Sequence, residues 1–158
     1  IDNLSVIFEY TNIRPYAYTH FSTKNNYTSF GQIIGHPLGP NADQLYAEAA
    51  VNLSERLRMN LGFQKIRRGE NIFTANGTLE KNVGGDVFQT FRIGIDPDQS
   101  YFLDGIRINN NIYTVSLSYE PIRDFRFDLQ YSYVTENNLT LSTFSDYSYG
   151  YGKFAVLF

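Results

Sequence analysis

The chain has 158 residues, with 13 Tyr and 13 Phe making 16% aromatic, neither Trp nor Cys, and 13 basic against 16 acidic residues for a net charge of -3. The small net charge and the lack of any basic run leave no basis for nucleic-acid binding, and the absence of Cys excludes disulfide frameworks, thiolate zinc sites and thiol nucleophiles. Mean hydropathy is -0.32 and no apolar run reaches the roughly 18 residues of a membrane helix, a test that transmembrane β-barrels escape because only every second residue of a strand faces lipid.

The chain opens IDNLSVIFEY, without an initiator Met or the pattern of a signal peptide. The expectation is a processed start or the C-terminal part of a longer protein. A first strand is predicted near Leu4 to Tyr10, followed by a long connection from Asn12 to Asp43 that is rich in Gly, Pro, Asn and Tyr. Ala47, Ala49, Val51 and Leu53 then alternate with Glu48, Ala50 and Asn52. After a turn at Ser54-Glu55-Arg56, Leu57, Met59, Leu61 and Phe63 alternate with Arg58, Asn60, Gly62 and Gln64.

A second long connection runs from Arg67 to about Asp104. The strongest pattern follows: Tyr113, Val115, Leu117 and Tyr119 interleave with Thr114, Ser116 and Ser118. Beyond a break at 120–124, Phe125, Phe127, Leu129, Tyr131 and Tyr133 interleave with Arg126, Asp128, Gln130 and Ser132. This is a hairpin of two strands with one apolar and one polar face. A third connection is predicted from Glu136 to about Phe144 and a last strand from Tyr147 to Phe158, where Phe154, Val156 and Phe158 alternate up to a terminal aromatic. Tyr147, Tyr149 and Tyr151 sit on the opposite parity, which calls either for a bulge near Gly150 and Gly152 or for tyrosines on the polar face.

Six strands with alternating short and long connections match the periplasmic turns and extracellular loops of an outer-membrane barrel, and a strand of about ten residues tilted by about 40° covers roughly 25 Å. The fold class predicted is therefore all-β, an antiparallel transmembrane barrel, with residues 1–158 as its C-terminal portion. The lipid-facing residues are Leu57, Met59, Leu61, Phe63, Tyr113, Val115, Leu117, Tyr119, Phe125, Phe127, Leu129, Tyr131 and Tyr133. Phe154, Val156 and Phe158 resemble the signal by which barrel assembly machinery recognises a last strand. A soluble β-sandwich is the alternative. Six strands cannot close a barrel, since unpaired backbone in hydrocarbon costs several kcal/mol per group, so further strands are expected upstream.

The stretch YTNIRPYAYTHFSTKNNYTSFGQIIGHPLGPNADQL, Tyr10 to Leu45, carries Tyr27, Gly31, Ile34, Gly35, His36, Gly39, Asn41 and Asp43 in an order that resembles the capsule assembly Wzi family. The resemblance covers about a quarter of the chain. It implies an outer-membrane barrel of eighteen strands in full-length members, a small helical part on the periplasmic side, and a lectin role in which exported or capsular polysaccharide is held at the cell surface. The 67–104 connection matches no family motif, so a sugar preference does not carry over.

The residues by themselves are compatible with a sugar site. Planar aromatics cover the apolar faces of sugar rings, while amides, carboxylates and Arg satisfy hydroxyls. Arg14, Tyr16, Tyr18, His20, Tyr27, His36, Asn41 and Asp43 supply both kinds. The competing reading puts Tyr16 and Tyr18 in an aromatic girdle on an extended strand, with Arg14 paired to a carboxylate such as Glu9. His20 and His36, with Ser22, Ser29 or Asp43, invite a catalytic thought, but no nucleophile elbow accompanies them. The simpler reading has His36 bonding loop backbone.

Asp96-Pro97-Asp98 with Asp104 reads as a turn before it reads as a calcium site. Asn-x-Ser/Thr at Asn3, Asn26, Asn52, Asn76 and Asn138 reflects composition. Glu48, Arg58, Arg126 and Asp128 line a pore or pair across strands. The expected protein is a non-enzymatic outer-membrane barrel without cofactor or metal. Its partners would be membrane lipid, exported polysaccharide, the assembly machinery and other envelope proteins; a passive channel or an accessory subunit of an envelope complex is the alternative.

Overall fold

A computed structural model describes residues 3–97 and 99–156. It is all-β, with one turn of 3-10 helix at Thr23–Asn25. Six long strands, β1 (Leu4–Ile13), β4 (Ala42–Ser54), β5 (Leu57–Glu70), β8 (Ile106–Ile122), β9 (Phe125–Asn138) and β10 (Thr143–Val156), form one antiparallel sheet. Each pairs with the next long strand along the chain, giving an up-and-down meander. Four short strands, β2 (Thr28–Ser29) with β3 (Gln32–Ile33) and β6 (Ile72–Phe73) with β7 (Leu79–Lys81), make small hairpins inside the two long connections. Among the described residues the sheet is open, with β1 and β10 at its edges.

Register decides which side chains share a face. Phe63, Tyr113 and Tyr133 lie in one cross-strand row, and Leu61, Val115 and Tyr131 in the next. Met59, Leu117 and Leu129 form the third, and Leu57, Tyr119 and Phe127 the fourth. Residues opposite one another point to the same side of a sheet, so these residues, joined by Phe125, form one continuous face. Val6 and Phe8 on β1, Ala47, Ala49 and Val51 on β4, and Phe154 and Val156 on β10 extend it to both edges. The face is uncovered: Phe8 is 69% and Leu129 58% exposed. The long strands make a single sheet, not the two packed sheets of a sandwich.

Aromatic rings mark both margins of this face. Phe63, Tyr113 and Tyr133 are linked by centroid distances of 5.2 and 6.5 Å on the loop side. Phe125, Phe127 and Phe154 cluster at 6.1 and 4.9 Å on the turn side. The apolar band spans 113–119 on β8 and 125–133 on β9; at about 3.3 Å per residue and a tilt of about 40° that is roughly 18–23 Å.

The strands continue well past the band, which corrects three predicted boundaries. β5 runs to Glu70, β9 to Asn138 and β10 starts at Thr143, so the predicted 136–144 loop is only a four-residue turn, 139–142. The two truly long connections are 14–41 and 71–105. Asn109, Asn110, Asn111, Thr135 and Asn137 have loop-like composition, yet backbone pairing carries the ladder through them and Asn111 Nδ2 donates to Thr135 Oγ1 at 3.2 Å. The last strand is also regular: its register against β9 is unbroken, so Tyr147, Tyr149 and Tyr151 stand on the polar face without a bulge. Phe158, the end of the predicted assembly signal, lies outside the described residues.

The opposite face is polar over the same stretch. Ser118 Oγ and Arg126 Nε both donate to Asp128, Thr114 and Ser132 share a hydroxyl hydrogen bond, and Arg58 Nε donates to Asn60 Oδ1. Glu48 accepts from the Tyr46 hydroxyl. Glu48, Arg58, Arg126 and Asp128 thus satisfy one another only in part, with Arg126 and Asp128 paired along one strand. Apolar packing appears on this side at the loop end, where Ile13, Leu38 and Ala42 are buried against Ala17, Tyr18 and Ile66.

Candidate ligand-binding cleft at the loop end

Antiparallel pairing brings connections 14–41, 71–105 and 139–142 to one end of the sheet and the tight turns at 55–56 and 123–124 to the other. The two long loops are tied together by buried asparagines. Asn41, fully buried, donates to the carbonyls of Gly69 and Asp104 at 2.8 and 3.1 Å and accepts from Leu103 N–H at 2.7 Å. Asn26 accepts from His20 N–H and donates to Val87 O. Asn82 accepts from Gly84 N–H and donates to Thr90 O, and Asn71 accepts from Val83 and Gly85 N–H. An amide side chain carries both donor and acceptor, so one Asn can fix two strands of irregular backbone that have no ladder of their own.

Tyr16 and Tyr18 both have positive φ, 60° and 70°, a conformation costly for aromatic residues. Tyr16 is held there by its N–H to Gly84 O and its hydroxyl to Asn82 O, both 3.0 Å, and by an edge contact with Phe91. Burial, with the Asp96 carboxylate nearby, raises the pKa of this hydroxyl and keeps it a donor. Tyr18 stacks on Tyr27 and takes the His36 N–H on its hydroxyl. Glycine is required opposite each ring: a Cβ at Gly35 would lie 2.6 Å from Tyr18, and one at Gly84 2.6 Å from the Tyr16 ring.

Further pairs brace the outer loop. Arg92 donates to both carboxylate oxygens of buried Asp96 and to the carbonyls of Leu79 and Glu80. Burial alone would raise the Asp96 pKa, but the Arg92 hydrogen bonds outweigh it and hold the carboxyl below its ordinary value. Lys81 lowers that of Asp104 through a 2.8 Å hydrogen bond. Asp96 and Asp104 thus each have a cationic partner of their own and do not converge as calcium ligands; Asp98 lies outside the described residues.

Between the loops lies an open cleft of about 400 Å³ lined by Tyr16, Thr19, His20, Phe21, Phe91, Pro97 and Ser100. His20 tilts over Phe21 with ring centroids 4.2 Å apart, and its Nδ1 accepts from Ser22 N–H. Rings line the cleft beside two hydroxyl groups, and its size falls in the range of small-ligand pockets. Phe21 in the cleft is exposed, as are Tyr27, Phe30 and Tyr101 elsewhere on the two long loops. Phe30 sits at the tip of the β2–β3 hairpin, where Phe30 and Gly31 both have positive φ as a type I′ turn demands.

Of the residues singled out in the sequence, Tyr16 and His20 reach this cleft. Tyr18 and Tyr27 stack on one another within the 14–41 loop and do not line the cleft. Asn41 is a buried clamp and Asp43 is buried in an ion pair with Arg67, so neither is free for a ligand. His36 Nδ1 accepts from Leu38 N–H, the backbone-bonding role. The girdle reading of Tyr16 and Tyr18 is corrected, because both lie in the folded loop. So is the pairing of Arg14 with Glu9: the Arg14 guanidinium stands 5.8 Å over the Phe102 ring, while Glu9 lies 3.9 Å from His36 Nε2. Thr19, Phe21, Phe91, Pro97 and Ser100 were missed in the sequence; the last three sit on the 71–105 loop, 70 or more positions along the chain from the first four lining residues. Comparison with family profiles, with curated proteins and with solved structures yields no match.

Proposed function

We propose that this chain is the C-terminal portion of a bacterial outer-membrane β-barrel that holds exported or capsular polysaccharide at the cell surface through its loop end. The observation that carries the reading is the cleft of Tyr16, His20, Phe21 and Phe91 beside the hydroxyls of Thr19 and Ser100. Stacking surfaces next to hydroxyl groups are what a sugar ring requires, and loops ordered in advance by buried amides lower the entropy cost of binding. The apolar band with aromatic margins supports lipid contact, and the Tyr27 to Asp43 motif supports a Wzi-like surface role.

Binding here needs no chemistry on the ligand; the histidines serve as ring surface and backbone acceptor. The decisive experiment is retention of the source organism's own surface polysaccharide by the purified protein. Saturable retention, weakened about tenfold or more by Phe21→Ala or Phe91→Ala at roughly 1.4 kcal/mol per decade, is expected. No retention by the parent protein, or variants that bind as it does, would overturn the proposal.

A further inference from the structure

Three strand cations lie on the outer face just beyond its aromatic margin at the loop end. Phe63, Lys65 and Arg67 alternate along β5, and Tyr113, Asn111, Asn109 and Arg107 along β8, so all of them point to the side of the apolar band. At about 3.3 Å per residue and a tilt of about 40°, Lys65, Arg67 and Arg107 stand roughly 5, 10 and 15 Å beyond the aromatic residue of their own strand. Two carboxylates share this outer surface on the strands. Asp43 is held by Arg67 in an ion pair, and Asp146, on β10 and three strands away from Lys65, takes the Tyr133 hydroxyl. Lys65 is exposed and Arg107 half-buried, and neither is in an ion pair among the described residues. Arg107 Nε is buried without a hydrogen-bond partner.

The turn end has no such extension. β5 begins at Leu57 and β9 at Phe125, both residues of the band, so the turns at 55–56 and 123–124 follow it directly. Their charges, Glu55 with Arg56 and Arg123 with Asp124, cancel. A bilayer with two equal leaflets would call for equal polar margins, so the long cationic margin at the loop end fits a deeper and more anionic headgroup layer on that side. A phospholipid carries its phosphate at one level, within a headgroup layer of about 5–8 Å. That level meets Lys65 and leaves Arg107 without a partner. A glycolipid with phosphates on successive sugars offers anionic oxygens at both heights, and its hydroxyls match the amides of Asn109, Asn111 and Asn137 beside the cations.

We propose that Lys65 and Arg107, with the Arg67–Asp43 pair between them, form a binding site for a multiply phosphorylated glycolipid of the leaflet on the loop side. The site rests on the membrane reading above and is separate from the loop cleft. Phosphates at two heights are what it recognises, so their removal and their replacement by a single-phosphate lipid are the informative changes of ligand.

The whole protein in nonionic detergent is titrated with rough lipopolysaccharide bearing a phosphorylated inner core, with the same lipid after chemical removal of its phosphates, and with phosphatidylglycerol. Binding is read by native mass spectrometry, while acylation of Lys65 and phenylglyoxal modification of Arg107 are mapped by peptide mass. The phosphorylated glycolipid is expected to bind saturably and to protect both side chains; the dephosphorylated lipid should protect neither. Lys65→Gln and Arg107→Gln should each weaken binding about fivefold and the double variant roughly 25-fold, with Lys65→Arg within about twofold of the parent. Retention of surface polysaccharide should be the same in all of them. If the double variant does not fold, Lys65→Gln and the modification pattern of the parent protein decide. Equal binding of phosphatidylglycerol, protection that survives removal of the phosphates, or variants that bind like the parent would each overturn the proposal. Parent protein that inserts into neutral phosphatidylcholine vesicles yet fails these tests loses this site alone, whereas protein that does not insert loses the membrane reading with it.

Discussion

Asn41 shows how one side chain organises the loop end. It has positive φ, is fully buried and makes three hydrogen bonds that join the start of β4 to the end of β5 and to the C-terminal end of the 71–105 loop. Asn41→Ala should destabilise this region by about 2–4 kcal/mol, because it strands two carbonyls and an N–H away from water. Faster amide exchange at Leu103, with exchange in the apolar band unchanged, is the expected readout. Asp96 makes the pH-dependent counterpart. Its folded pKa is depressed by Arg92, so the stabilisation is complete above the ordinary carboxylate value near ~3.9 and is lost as pH falls through the lower folded value. Proteolysis of the 71–105 loop by pepsin should therefore accelerate on acidification below about pH 4. In Asp96→Asn the loop should be cut quickly at every pH and that acid step should vanish.

At the scale of elements, β5, β8 and β9 each have an apolar segment continued by a polar extension at the loop end, and the consequences of substitution depend on which segment is touched. Leu129 sits mid-band between the aromatic margins. With lipid against this face, Leu129→Arg should cost about 2–4 kcal/mol and the same charge placed at the rim residue Tyr133 only about 0–1. Reversible denaturant unfolding in liposomes measures both; equal, negligible effects would exclude lipid contact. The alternation that defines the band was legible in the sequence because the strand period is local: Leu57 to Phe63 and Tyr113 to Tyr133 need only their own backbone to place every second side chain on one side. The strand ends were not legible. Asn109 to Asn111 and Thr135 to Asn138 are poor strand formers by composition, and only the partner strand, by accepting and donating ladder hydrogen bonds, keeps them extended.

For the whole molecule, the meander places loop tips and tight turns at opposite ends of the sheet, and a membrane crossing would put them on opposite sides of the bilayer. The absence of native Cys makes this measurable. Phe30→Cys and Arg123→Cys, each in proteoliposomes with one orientation, should react with an impermeant maleimide from opposite sides; labelling of both from the same side would contradict a spanning sheet. The sequence alone determined the six antiparallel strands, the composition of their two faces and the placing of two long connections between them, since each follows from nearest-neighbour stereochemistry and period-two patterning. Only the tertiary structure decided that the tyrosines of the last strand share the polar face, and that most of the Tyr27 to Asp43 motif shapes the loop instead of meeting a ligand. It alone brought Phe91, Pro97 and Ser100 against Tyr16 and His20. The physical reason is that these arrangements depend on contacts between residues far apart in the chain, made by buried amides and close glycine approaches whose partners no local pattern specifies.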